Sequence, residues 1–157
     1  MEIVDFNGEK LYKWTVGAST FIASPTRGAR LMNWFLTLAD GSLRDVIYWP
    51  DNADMKGGFA SVRGGNPILF PFCGRSHLNG ELGKWKTPDG RILNMPQHGY
   101  ARQGEFEIVD ITDFAFVAKF KPDAQCRENY PYDYDFVVSY RFNEFSIGCD
   151  LRLANNS

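Results

Sequence analysis

The chain has 157 residues, 44% of them hydrophobic and 15% aromatic, enough for one domain to bury a substantial core. Its 17 basic and 19 acidic side chains give a net charge of −2, so no basic excess exists to neutralise a phosphate backbone, and no nucleic-acid partner is expected. No run approaches the roughly 18 apolar residues of a membrane span, and the polar opening MEIVDFNGEK does not read as a secretory signal. The expectation is a cytoplasmic protein without a membrane partner.

In chain order, Lys10–Val16, Ser19–Ala23, Ala29–Leu38 and Leu43–Trp49 read as strands, broken by Gly17, Ser24-Pro25 and Asp40-Gly41. Residues 50–104 are rich in Gly and Pro and hold both histidines, His77 and His98. That stretch is too long for a plain connector, and its apolar run Pro67–Phe72 argues against disorder, so it is read as functional. From Phe106 the dominant period is two. Phe106–Ile111 and Phe114–Phe120 alternate, and residues 133–142 put Tyr134, Phe136, Val138, Tyr140 and Phe142 on one face. Phe145, Ile147, Cys149, Leu151 and Leu153 continue the pattern beyond a tight link at Asn143-Glu144.

No segment shows a helical period of useful length. The fold class is therefore all-β and antiparallel, in one domain over residues 1–157. The last strand runs into LRLANNS without a closing element, which leaves a sheet edge open to a second copy as a possible homo-oligomer contact. Cys73, Cys126 and Cys149 are odd in number, widely spaced and form no CxxC pair. They read as reduced thiols acting as small apolar fillers, with neither a disulfide framework nor a metal site.

Polar groups gather among turn residues at 63–75, 95–102 and 128–136. His98 is the leading titratable candidate, because an imidazole serves as acid or base without heavy tuning, and Gly99 leaves room for close approach. Arg63, Arg75 and Arg102 offer forked donors suited to carboxylates, phosphates and vicinal hydroxyls. The plainer reading stays open, with His98 satisfying a loop carbonyl and the arginines acting as loop staples. Arg63-Gly64-Gly65 is a single RGG copy, weak as an RNA element in an acidic chain. Asp133 with Asp135, and Glu105 with Glu107, share strand faces and read first as solvated surface. His77 has no partner signal.

Arg63-Gly64-Gly65-Asn66-Pro67-Ile68-Leu69-Phe70-Pro71, then Gly74-Arg75, then Pro96-Gln97-His98-Gly99-Tyr100-Ala101-Arg102 resemble the aldose 1-epimerase (galactose mutarotase-like) family. The order of RGG-P-FP and PQHG-AR is closest to its hexose-6-phosphate mutarotase-like branch. Tyr130-Pro131-Tyr132-Asp133-Tyr134 and Asn155-Asn156-Ser157 also follow the family's order. The resemblance implies the N-terminal part of an antiparallel β-sandwich whose concave face binds a sugar or sugar phosphate. It implies an isomerase that interconverts α and β anomers with no cofactor and no metal. His98 matches the family's first active-site histidine, Arg75 lies near its sugar-binding arginine, and Arg63 and Arg102 match arginines that clamp a sugar phosphate. The family's second histidine and its glutamate base have no counterpart in these residues, so the chain is expected to be an N-terminal half, inactive alone. A non-catalytic carbohydrate-binding module and a self-pairing structural piece are the competing readings.

Overall fold

The computed structural model describes every residue from Met1 to Ser157. Five strands form a first antiparallel meander in chain order: β1 (Glu2–Phe6), β2 (Glu9–Val16), β3 (Ser19–Ser24), β4 (Arg30–Thr37) and β5 (Leu43–Ile47). Two short ribbons follow, β6 (His77–Leu78) with β7 (Glu81–Leu82), and β8 (Lys84–Lys86) with β9 (Ile92–Asn94). A second meander is built from β10 (Glu105–Ile111), β11 (Ala115–Lys121), β12 (Tyr134–Asn143) and β13 (Ser146–Asn155). One short helix, α1 (Ala124–Asn129), links β11 to β12.

The expected antiparallel sandwich is present. Trp14, Phe21, Ala23 and Leu31 from the first sheet pack against Phe106, Phe116, Phe120 and the buried row Phe136, Val138, Tyr140 and Phe142 from the second. Aromatic rings form the contact layer, with Trp14 and Phe21 at 4.8 Å and 4.7 Å from the Phe142 ring. Polar ties cross the same gap. Trp14 Nε1–H donates to Thr112 O at 2.9 Å, Ala18 N–H to Glu144 Oε1 at 2.9 Å, and Asn66 Nδ2–H to Tyr140 Oη at 2.8 Å. Each satisfies a group that would otherwise be costly to bury.

The first sheet is buried on both faces. Leu11 and Met32 point away from the main core into a second cluster with Trp49, Ala53, Met55 and Phe59, supplied by the segment that follows β5. That explains why β4 begins with four consecutive buried residues, Arg30 to Asn33, and shows no alternation. Much of the region read as functional from its length is thus structural cover.

Several local expectations change. A helical turn does form, because Asp123 caps α1 by accepting from Cys126 N–H at 2.7 Å; six residues are too few to carry a period. β1 pairs with β2 although its sequence, EIVDF, carries mixed polarity. A bulge at Val109 shifts the register between Ile108 and Asp110, so Val109 is exposed and Ile111 rejoins Phe116 on the inner face. The hairpin closes on the pair Asn143 and Ser146, which puts Phe145 in the turn and in solvent. Leu151 and Leu153 are more than half exposed because β13 is the outermost strand. Only Cys126 is a buried filler; Cys73 and Cys149 are exposed, and all three thiols are free.

Trp14→Ala removes the centre of the aromatic layer and should cost about 3–5 kcal/mol in urea unfolding. Leu43→Ala, on an exposed side chain, should stay within about 0.5 kcal/mol. Burial pushes the Tyr100 hydroxyl up to about 12 and moves Tyr134 and Tyr140 further in the same direction. Unfolded tyrosine ionises near 10, so above that pH the unfolded chain releases protons that the folded chain keeps. The stabilisation is whole below about pH 10 and is lost as pH rises through about 12. Tyrosinate absorbance should therefore lag in the folded protein and complete only as it unfolds; a titration without that lag would contradict the burial of these hydroxyls.

Candidate functional site

Two segments with little regular structure run side by side. Phe70 O accepts from both Tyr100 N–H at 2.8 Å and Ala101 N–H at 3.1 Å, and Gly74 O accepts from His98 N–H at 2.7 Å. The Phe70 ring anchors this seam to the core by stacking on Phe136 at 4.2 Å. Gly99 has φ 71°, and a Cβ there would meet Phe70 O at 2.2 Å, so the crossing of the two backbones requires glycine. His98 has φ 69°, a left-handed conformation that histidine enters more readily than most side chains. A second close approach explains the RGG run. Gly65 lies against β4, where a Cβ would meet Leu31 O at 2.4 Å.

His98 is half-buried, and its Nδ1 accepts from Gly74 N–H at 3.0 Å. A ring that accepts at Nδ1 is neutral and carries its proton on Nε2. Nε2 lies 3.2 Å from the Gln97 side-chain amide nitrogen, and Arg75 Nε–H donates to Gln97 Oε1 at 3.4 Å. One amide cannot serve as acceptor for both neighbours: turned to take the Nε2 proton, it offers Arg75 a donor instead. A ligand oxygen that accepts from Nε2 or from Arg75 relieves this competition. Arg75 and Gln97 also wall a cavity of about 320 Å³ together with Ser76 and Met95, whereas His98 stands beside that cavity without lining it.

The structure brings Arg75 and His98 together through Gln97, a residue the sequence reading passed over. No hydrogen bond or ion pair joins Arg63 or Arg102 to them. Arg63 is exposed between Val62 and Gly64, whose carbonyls accept from Arg30 Nη2 at 2.8 Å and 2.6 Å. Arg102 sits half-buried on the turn Ala101–Gln103, near enough to Arg30 for like-charge repulsion, with its Nε–H unpartnered. Arg30 is a buried staple, donating also to Phe59 O at 2.9 Å, with its guanidinium carbon 4.6 Å from the Trp49 ring centre. Burial first, and Arg102 second, lower it to about 10. A charged residue inside the apolar run Ala29–Met32 was the available signal for it.

The other candidates disperse. Asp135 pairs with Lys119 at 2.5 Å, away from Asp133, and Glu105 and Glu107 face Lys121 and Lys119 across β10 and β11. His77 is exposed on β6. No three His, Cys, Asp or Glu side chains come together as a metal-binding group. On the far side of the same loop, Phe72, Trp85, Tyr130 and Tyr132 line an aromatic hollow of about 520 Å³. Trp85 is fixed there by Nε1–H donation to Asn129 O at 3.0 Å.

These features define a two-sheet antiparallel sandwich whose polar side chains are displayed on stitched loops at its rim. The chain belongs to the aldose 1-epimerase family, whose sequence model matches residues 10–157. It is 29% identical over 91 residues to the chromosomal protein LacX of Lactococcus lactis subsp. lactis, a match covering 57% of this chain and 30% of LacX. A galactose mutarotase related enzyme from Lactobacillus acidophilus superposes with a TM-score of 0.72 at 23% identity, covering 94% of this chain and 44% of that one. The Slr1438 protein of Synechocystis sp. PCC 6803 superposes with a TM-score of 0.73 at 23% identity, covering 99% and 52%. The chain thus spans about half the length of these solved relatives and a smaller share of LacX. No helix is long and apolar enough to cross a membrane.

Gly99→Ala forces a Cβ into the Phe70 carbonyl at the seam. It should destabilise the fold by at least about 1–2 kcal/mol. His98→Asn, which keeps the left-handed preference, should cost only about 1 kcal/mol for the lost Gly74 bond. Equal losses for the two variants in thermal unfolding would deny the seam its role.

Proposed function

We propose that the chain binds a hexose or hexose 6-phosphate at the face carried by Arg75, Gln97 and His98, and supplies part of an aldose 1-epimerase site. The observation that carries this is the Gly74 N–H bond to His98 Nδ1, which aims a protonated Nε2 outward beside Arg75. Membership of the family supplies the substrate class.

Anomer exchange needs one group to take the O1 hydroxyl proton while another protonates the ring oxygen. The C1–O5 bond then breaks, C1 becomes a carbonyl carbon, the C1–C2 bond rotates, and reclosure gives the other anomer. His98 Nε2–H donates to a sugar oxygen at the reacting end. Arg75 grips a hydroxyl pair with its fork, and Gln97 follows whichever neighbour the sugar leaves free. Arg102 suits a 6-phosphate because its charge has no carboxylate partner and already opposes Arg30.

A second reading, a carbohydrate-binding module without turnover, draws on the aromatic hollow. Phe72 and Trp85 lie 5.5 Å apart there and offer ring faces to the apolar side of a sugar. Optical rotation of freshly dissolved α-D-glucose, together with NMR titration of glucose and glucose 6-phosphate, separates the two. A mutarotation rate above buffer that falls at least tenfold in His98→Asn and Arg75→Ala is the expected result for the enzyme. Saturable binding without a rate leaves the module, and neither binding nor rate overturns both. Arg102→Ala and Arg63→Ala should weaken glucose 6-phosphate more than glucose; equal losses remove the phosphate preference.

A further inference from the structure

Strand β13 is the outermost strand of the second sheet, and one of its edges has no partner. It runs ten residues in unbroken register with β12. The other edge strands are blunted: β1 and β5 have five residues each, and β10 carries the Val109 bulge with Glu105 and Glu107. β13 has no proline, no lysine and no bulge.

Its free edge has a defined chemistry. Asn156 N–H donates to Asp133 O at 2.9 Å, in phase with the β12–β13 pairs, so even-numbered residues direct their backbone groups to β12. The odd-numbered residues Ile147, Cys149, Leu151 and Leu153 direct theirs outward. Their side chains lie on the core-facing side, opposite Phe142, Tyr140, Val138 and Phe136, yet Leu151 and Leu153 are 55% and 53% exposed. The opposite face carries Asp150 and Arg152.

We infer that β13 is a self-recognition edge, on which two copies pair antiparallel about a two-fold axis at Leu151 and join two four-stranded sheets into one. Only odd-numbered residues can meet, so the axis falls on Cys149, Leu151 or Leu153. On Cys149, Asp150 would face Gly148 of the second copy; on Leu153, Arg152 would face Ala154. Centred on Leu151, Asp150 faces Arg152 of the second copy, and the reverse pair forms by symmetry. Such non-hydrogen-bonded positions bring side chains closest. Leu151 then meets its own counterpart, and Cys149 meets Leu153 on the apolar side. Arg152 forms no ion pair within its own chain, whereas Asp150 already pairs with Arg141 at 2.6 Å and has a carboxylate oxygen to share. Two copies also bring the total close to the length of the solved relatives, of which this chain covers 44% and 52%.

The test is light scattering and sedimentation equilibrium of the 157-residue chain over a wide concentration range. The expected species is reversible and has twice the 17.9 kDa chain mass. Arg152→Asp should weaken association about tenfold by opposing like charges, and Asp150→Arg/Arg152→Asp should restore it. Leu151→Pro removes the central outward N–H without touching the β12 ladder, and should abolish dimers while circular dichroism stays native. A strict monomer overturns the inference. So does a dimer indifferent to both Arg152→Asp and Leu151→Pro, or one that the double exchange fails to rescue.

Discussion

The seam between residues 70–74 and 98–101 is the constraint from which the rim of the molecule hangs. Neither segment has a strand or helix to hold its shape, so four backbone groups and one aromatic stack do that work. Phe70 links the two levels: its carbonyl takes both Tyr100 and Ala101, and its ring rests on Phe136 in the core. The position of the His98 imidazole is thereby referred to the sandwich interior and not to a free loop. Gly99 is the point where this arrangement admits no side chain.

The two sheets obey different packing rules, and this decided how well each could be read. The second sheet has one buried face, so Tyr134 to Phe142 shows period two and its inner row lies where alternation puts it. The first sheet has a core on either side. Arg30, Leu31, Met32 and Asn33 are all buried, and alternation cannot mark a strand that is wanted on both faces. Its strands were legible from the turn residues between them instead. Leu151 and Leu153 misled in the opposite sense: the pattern reports which face a side chain occupies, and not whether anything covers it.

At the rim, His98 and Arg75 were legible as residue types beside glycine, and their motifs carried the family. Gln97 was not, because an amide between two cationic or donor groups acquires meaning only from their separations. Arg30 stayed hidden for a related reason. Its three carbonyl acceptors, Phe59, Val62 and Gly64, lie some thirty residues away and converge only after the cover segment folds back. Arg63 and Arg102 share a region of sequence with His98, yet the fold hands both of them to the surroundings of Arg30.

The double cover of β4 orders the molecule's local openings. Its amides are shielded by the inter-sheet aromatics on one side and on the other by a lid of chain riveted through Arg30. Exchange of those hydrogens with solvent requires both layers to part together, which links their protection to global unfolding. The outward amides of β13 sit at the opposite extreme, a breath away from water. The slowest-breathing unit of the protein is thus the sheet whose sequence shows the least regularity.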